Sequence, residues 1–373
     1  MTLAPSADPV IEEIRDWLAT NWDPELTLAE WWERLGTSGW AAPTLPDDAY
    51  GKGLSRSDAV RALAEIAAAG AVGPPAGLGL LLAAPTIAAH GTRDQIDTFV
   101  RDIVTGQRAW CQLFSEPGAG SDLAGLTTKA IQDGDEWIVT GQKVSTSMGQ
   151  TADMGMLLAR TAPDAPKHQG ITWFAIDMRQ PGVELRPLRE MTGHAMFNEV
   201  FLSEARVPAN AVIGELNGGW AVANTTLANE RAGLGAGGGG AGGSAPAGQI
   251  SGQLGRRVGD FAEPPNRSAP RSTAQLLINL ARGAGLADDP VIRQQLARLH
   301  TLGELGRLNG ERSKAARRSG NGLPGMANIA KLGMSDIVRL QRDLGLAIHG
   351  PYGTLHAYDE EARSSLDEAT GNP

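Results

Sequence analysis

Phe114-Ser115-Glu116-Pro117-Gly118-Ala119-Gly120-Ser121-Asp122 stands where the pattern of this chain changes. Before it, apolar residues recur at helical spacing. After it, short β-forming runs alternate with turns. Within the stretch, three small residues follow a proline, and small residues let a backbone approach a ligand closely. Successive backbone N–H groups there can form a nest for an anion. Ser115 and Ser121 add hydroxyls that can donate to a carbonyl, a ring nitrogen or a phosphate oxygen. A tight surface turn is the plainer reading of the same residues, and the stretch alone does not separate the two.

Toward the N-terminus, residues 1–108 read as an all-helical domain. Val10, Ile11, Ile14, Trp17 and Leu18 share one helix face. Thr92 followed by Gln95 predicts a capping box, and Ile96, Phe99, Val100 and Ile103 continue it as an apolar stripe. The segment from Ala76 to Ala89 is apolar but shorter than the ~20 residues of a membrane span. Pro85 interrupts it, so it reads as a buried helix pair or a kinked helix.

Toward the C-terminus, residues 109–214 read as a β domain. Trp137-Ile138-Val139-Thr140, Ile171-Thr172-Trp173-Phe174-Ala175-Ile176 and Glu199-Val200-Phe201-Leu202 are rich in β-formers, and Asp133-Gly134 and Pro181-Gly182 mark turns. No long helical stripe intervenes, which predicts an antiparallel barrel or sandwich in place of alternating βαβ units. Helical periodicity returns in 215–373, with helices expected over 271–286, 291–318 and 325–348. A Gly-, Pro- and Ser-rich segment at about 235–270 reads as a flexible loop. The fold class expected is therefore α+β and multidomain: an N-terminal all-α domain, a central antiparallel β-barrel or sandwich, and a C-terminal helical bundle.

Composition narrows the function. The chain has 373 residues, 42% of them hydrophobic, and a net charge of −9, so a sizeable core is expected and nucleic acid is not an expected partner. Its single cysteine, Cys111, precludes a disulfide within the chain and favours a reducing, cytoplasmic setting. Beside Trp110, it reads as core. No metal site, secretory signal or membrane span is expected.

Two further stretches carry candidate chemistry. Gly141-Gln142-Lys143-Val144-Ser145-Thr146-Ser147 ends a strand on three successive hydroxyls. From 220 to 234, Trp220, Ala223, Leu227 and Leu234 share one helix face, and Glu230 falls between the last two. A buried carboxylate is costly unless paired, protonated or used. Burial raises its pKa, which suits a general base working near neutral pH. A salt bridge to a distant Arg or Lys is the structural alternative. Gly235-Ala236-Gly237-Gly238-Gly239-Gly240 matches a dinucleotide-binding pattern formally, but it follows a helix and no helix clearly begins after it, so low complexity accounts for the match.

Together, Ser115-Glu116-Pro117-Gly118-Ala119-Gly120-Ser121-Asp122, Gly141-Gln142-Lys143, Met191-Thr192-Gly193-His194, Arg206-Val207-Pro208 and Asn229-Glu230-Arg231 resemble the acyl-CoA dehydrogenase family. The resemblance implies helical, β and helical domains in that order, with FAD between the β domain and the C-terminal helices. It implies that Gln112, Leu113, Phe114, Ser115 and Ser121 line the flavin, with Ser121 also reaching the CoA moiety, and that Ser145, Thr146 and Ser147 form a second flavin-contacting stretch. Glu230 matches one of the family's two positions for the base that takes the α-proton, and Arg231 matches a position associated with substrate binding. The reaction implied is dehydrogenation of an acyl-CoA, in fatty acid or other lipid metabolism, to a trans-2-enoyl-CoA. An electron-transfer flavoprotein is the implied acceptor, and a homodimer or tetramer, or a heteromer, the implied assembly.

The family usually carries an aromatic residue, mostly Trp, where this chain has Ser145. Against typical members the chain also reads as truncated at the C-terminus. Both features keep a non-catalytic partner subunit of a heteromeric dehydrogenase as the alternative expectation. An oxygen-using acyl-CoA oxidase is a further rival, disfavoured by length.

Overall fold

Short polar caps set the first helices. Asp8 caps α1 (Pro9–Asn21) by accepting from Val10 N. Thr27 and Glu30 form a reciprocal capping box at α2 (Leu28–Thr37), and Ser55 caps α3 (Arg56–Ala68). The computed structural model describes residues 8–191, 193–234, 245–261, 273–323, 325–355 and 360–370. Ile14, Leu28, Trp31, Trp32 and Leu35 are wholly buried between these helices. Trp31 Nε1 donates to Val72 O at 2.8 Å and Trp32 Nε1 to Gly73 O at 2.9 Å, so burial of the indoles leaves no unpaired donor there.

The apolar segment with Pro85 is a π-helical turn, Gly79–Ala83, running into α4 (Ala84–His90). Proline lacks an N–H and its ring crowds the carbonyl four residues back. Here it sits in the first turn of α4, after the widened turn, so the segment continues as one irregular helix. The capping box expected at Thr92 is present: Thr92 N donates to Gln95 Oε1 at 2.9 Å, and Gln95 N donates to Thr92 Oγ1 at 3.3 Å. It opens α5 (Arg93–Gln95), which passes through a second π-helical turn, Ile96–Val100, into α6 (Arg101–Val104).

Eight strands follow: β1 (Trp110–Leu113), β2 (Lys129–Asp133), β3 (Glu136–Ser147), β4 (Met154–Arg160), β5 (Ile171–Asp177), β6 (Val183–Leu188), β7 (Phe197–Pro208) and β8 (Val212–Ile213). Seven lie in the order β6-β7-β3-β2-β4-β5-β8. The eighth, β1, lies parallel to β4, with Trp110 opposite Met154. The sheet is thus mixed, and the purely antiparallel expectation is corrected. The β1–β4 link passes through the β2–β3 hairpin, which gives the chain enough length to return parallel without a crossover helix. β4 and β5 are buried along almost their whole length, as strands covered on both faces are.

α7 (Gly219–Leu234) packs on this sheet. A Cβ at Gly219 would lie 2.6 Å from the carbonyl carbon of Thr172 and from Trp173 N, so only glycine lets the helix start so close to β5. Ala223 and Thr226 continue the buried row.

Of the segment expected to be a flexible loop, residues 235–244 and 262–270 lie outside the described residues. Residues 245–261 are docked, contrary to that reading. Leu28 N donates to Arg256 O, Val258 N to Leu26 O, and Gly248 N to Gly106 O, while Val258 is wholly buried. Backbone pairing supplies the anchoring that a count of apolar residues overlooks.

The chain divides into two compact units, Met1–Pro265 and Asn266–Pro373. α7, placed by sequence with the C-terminal domain, therefore belongs to the first unit. The second holds α8 (Thr273–Gly283), α9 (Pro290–Arg318), α10 (Met326–His349) and α11 (Glu360–Thr370). Its core gathers Leu277, Ala281, Ile292, Leu299, Leu344 and Ile348. Among the described residues, no helix is long and apolar enough to cross a membrane.

Candidate active site

β3 alternates inward residues at Trp137, Val139, Gly141 and Lys143. A Cβ at Gly141 would stand 2.3 Å from Thr128 Oγ1 and 2.7 Å from Thr128 Cα. The glycine lets the start of β2 cross β3 at close range. Two residues on, the same side of the strand carries Lys143, which is wholly buried.

The Lys143 ammonium donates to Glu116 Oε1 at 2.9 Å and to Phe114 O at 3.1 Å. The Glu116 carboxylate also accepts from Thr127 N at 2.6 Å, Thr127 Oγ1 at 2.8 Å and Thr128 N at 2.9 Å. Burial by itself would raise the Glu116 pKa. The facing ammonium and the hydrogen bonds from Thr128, Lys143 and Thr127 outweigh that effect and hold it at about 2. Burial pushes the Lys143 ammonium down to about 8 against the pull of Glu116. Both groups are therefore charged at neutral pH.

This pair joins the two hydroxyl-bearing segments. Val144 N donates to Ser115 O at 2.9 Å, so the Ser115 turn lies along β3 just before Ser145, Thr146 and Ser147. A bulge between Lys143 and Thr146 puts Ser145 at φ +56° and exposed. Ser115 and Ser147 are half-buried and Ser121 is exposed. None of these four hydroxyls has a hydrogen bond to another described residue.

The other residues expected here point inward. Leu113 and Phe114 are core. Thr146 is wholly buried, and its carbonyl accepts from Asn198 Nδ2 at 3.1 Å. Gln112 is half-buried, with its Nε2 enclosed and unpaired among the described residues. Cys111 is core, its thiol pushed up to about 12 by burial, and so is no nucleophile.

Glu230 and Arg231 are half-buried near the end of α7. Glu230 continues the row Gly219, Ala223, Thr226 by one more turn, on a separate element from the loop and β3. Two side-chain contacts fix the middle of this helix on α4: Thr226 Oγ1 meets Thr86 Oγ1 at 3.0 Å, and Thr225 Oγ1 meets His90 Nε2 at 2.8 Å. At its end the Arg56 guanidinium donates to Ala232 O at 3.3 Å, a cation at the negative end of a helix.

Comparison with known proteins accords with this arrangement. Residues 6–107 match the acyl-CoA dehydrogenase N-terminal domain and residues 111–204 the acyl-CoA dehydrogenase middle domain. The chain is 34% identical over 361 residues to acyl-CoA dehydrogenase IpdE1 of Mycobacterium tuberculosis, covering 91% of this chain and 85% of that protein. It belongs to the acyl-CoA dehydrogenase family.

Within the family, the chain is also 52% identical over 200 residues to acyl-CoA dehydrogenase FadE34 of Mycobacterium tuberculosis, a match spanning 54% of this chain and 28% of that protein. Among solved structures, the steroid ACAD Tcur3481-Tcur3483 superposes with a TM-score of 0.68 at 26% identity, over 98% of this chain and 88% of that one. The ChsE4-ChsE5 complex from Mycobacterium tuberculosis superposes with a TM-score of 0.64 at 27% identity, over 99% and 93%.

The buried Lys143–Glu116 pair is a part of this site that the sequence motifs did not single out. The signal was present: a lysine at an inward position of an alternating strand requires a carboxylate, and Glu116 lies in the neighbouring motif.

Proposed function

We propose that this chain catalyses α,β-dehydrogenation of an acyl-CoA thioester with FAD, giving a trans-2-enoyl-CoA. The observation that carries this reading is Glu230, a half-buried carboxylate on a helix held to α4 and β5, at the place where the family resemblance implies the base. Its carboxylate takes the α-proton as the electrons of that C–H bond form the alkene. FAD, when bound, supplies the acceptor for the hydride that leaves the β-carbon. The donor set fits a flavin: among the described residues, the Ser115, Ser145 and Ser147 hydroxyls make no hydrogen bond and lie along one loop–strand junction, matching the carbonyl and ring-nitrogen acceptors of the ring. Ser121 and Arg231 bind the acyl-CoA in this scheme, and an electron-transfer flavoprotein takes the electrons away.

The structural relatives include a protein named as a steroid ACAD, which favours a bulky steroid side-chain thioester over a straight fatty acyl chain. The test is anaerobic addition of each thioester to purified protein loaded with FAD. Bleaching of the flavin band by the steroid ester, and slower bleaching by the fatty acyl ester, is expected. Bleaching by neither ester overturns the catalytic reading for this chain alone.

A second reading, a partner subunit in a heteromer, is favoured by the ChsE4-ChsE5 complex among the structural relatives and by the loss of a ring at Ser145. Turnover that appears only when a second family chain is added would select it.

A further inference from the structure

We propose that Lys143 and Glu116 are positioning residues, whose buried ion pair closes the base of the 114–128 loop and holds Ser115 in place along β3. This rests on the proposed flavin site. Both ends of the loop meet at one carboxylate. At the start, Glu116 itself and the Phe114 carbonyl face the Lys143 ammonium. At the end, Thr127 N, Thr127 Oγ1 and Thr128 N all donate to the same carboxylate. A third tie, Val144 N to Ser115 O, lies next to the lysine. Of the intervening residues, Ala119, Leu123, Ala124 and Leu126 are buried and anchor the far part of the loop, while Pro117, Gly118, Gly120 and Ser121 are exposed, so the turn beside Ser115 is the part the pair must hold. Apolar pairs of similar volume often stabilise a fold as well as or better than a buried ion pair. What the charges add is direction: a carboxylate saturated by four donors admits one arrangement of the loop ends.

The experiment compares wild-type protein with Lys143→Met, Glu116→Gln and the double variant. Lys167→Met is the control, because Lys167 pairs with Asp122 of the same loop at the exposed surface. Hydrogen exchange is followed in residues 112–130 and, as an internal reference, in 154–177, while FAD affinity is measured by titration. Each single variant is expected to speed loop exchange and weaken FAD by about tenfold or more, with the reference strands unchanged. The double variant should be no worse than the poorer single one, as for a coupled pair, and Lys167→Met should change neither. Glu116→Gln keeps the side-chain length and so remains measurable if Lys143→Met does not fold. Unchanged loop exchange in folded variants overturns the proposal. So does a loosened loop with full FAD affinity, because the pair is then structural only. If wild-type protein takes up no FAD, the proposed cofactor fails separately, and the exchange comparison still decides whether the pair holds the loop.

Discussion

The Thr86 and Thr226 hydroxyls meet at 3.0 Å, with both side chains wholly buried, and join α4 to α7. Each hydroxyl has one proton. Thr86 Oγ1 lies 2.7 Å from Leu82 O and Thr226 Oγ1 lies 3.2 Å from Val222 O, so each hydroxyl has a backbone acceptor in its own helix besides the other hydroxyl.

Thr226→Val removes the hydroxyl contact between the two helices at nearly constant shape. Thr86 keeps Leu82 O as its acceptor. A loss of about 1 kcal/mol is expected in urea unfolding of the first unit. An unchanged midpoint would show that the hydroxyl contact contributes nothing to docking α7.

Gly141→Ala is expected to cost at least about 2 kcal/mol, because the added methyl meets Thr128 backbone and must displace β2 from β3. Gly118→Ala is the control, since nothing lies within 4 Å of a Cβ there. Equal melting temperatures for the two variants would refute the close-approach argument.

Stability on the acid side should follow Glu116. Its folded-state pKa, about 2, lies below the ordinary 4.5, so the folded chain binds this proton less readily than the unfolded one. The contribution is complete above about pH 4.5 and is lost as pH falls toward 2. It is on the order of 3 kcal/mol at most. In Glu116→Gln that pH-dependent part disappears, so the variant's stability should fall less steeply between pH 4.5 and 2 than the wild type's. Parallel curves over this window would place the acid sensitivity elsewhere.

The helical and β segments were legible because their apolar residues repeat with different periods. Thr92 and Gln95 even announced the capping box that the structure contains. The parallel β1–β4 pair was not legible, because strand direction depends on long-range pairing and leaves no local period. The docking of residues 245–261 was missed for a related reason: its anchors are backbone hydrogen bonds and a few scattered buried side chains, Ala245, Ala247 and Val258, that follow no local period. At the candidate site, period two placed Lys143 inside, yet Glu116 lies 27 residues away, beyond any single element. Thr146 and Ser147 show the limit of reading three hydroxyls as one group. The strand turns Thr146 into the core and leaves Ser147 half-buried.

Glu230→Gln tests the proposed base directly. Glutamine keeps the size of the side chain and its place after Gly219, Ala223 and Thr226, so α7 should dock as before. It has no basic oxygen able to hold a proton near neutral pH. FAD and acyl-CoA affinities should therefore stay near the wild-type values, while flavin bleaching by the acyl-CoA slows by at least about 10²-fold, the low end for a lost general base. The melting temperature guards against a folding defect, and FAD titration guards against an empty site. If the variant bleaches as fast as wild type, another group removes the proton and the assignment to Glu230 is wrong. If wild type holds FAD but neither protein bleaches until a second family chain is added, Glu230 is not the base of the isolated chain. Repeating the substitution in that mixture then decides its role: a slowed mixture keeps Glu230 as the base, and an unaffected one assigns the proton transfer to the partner.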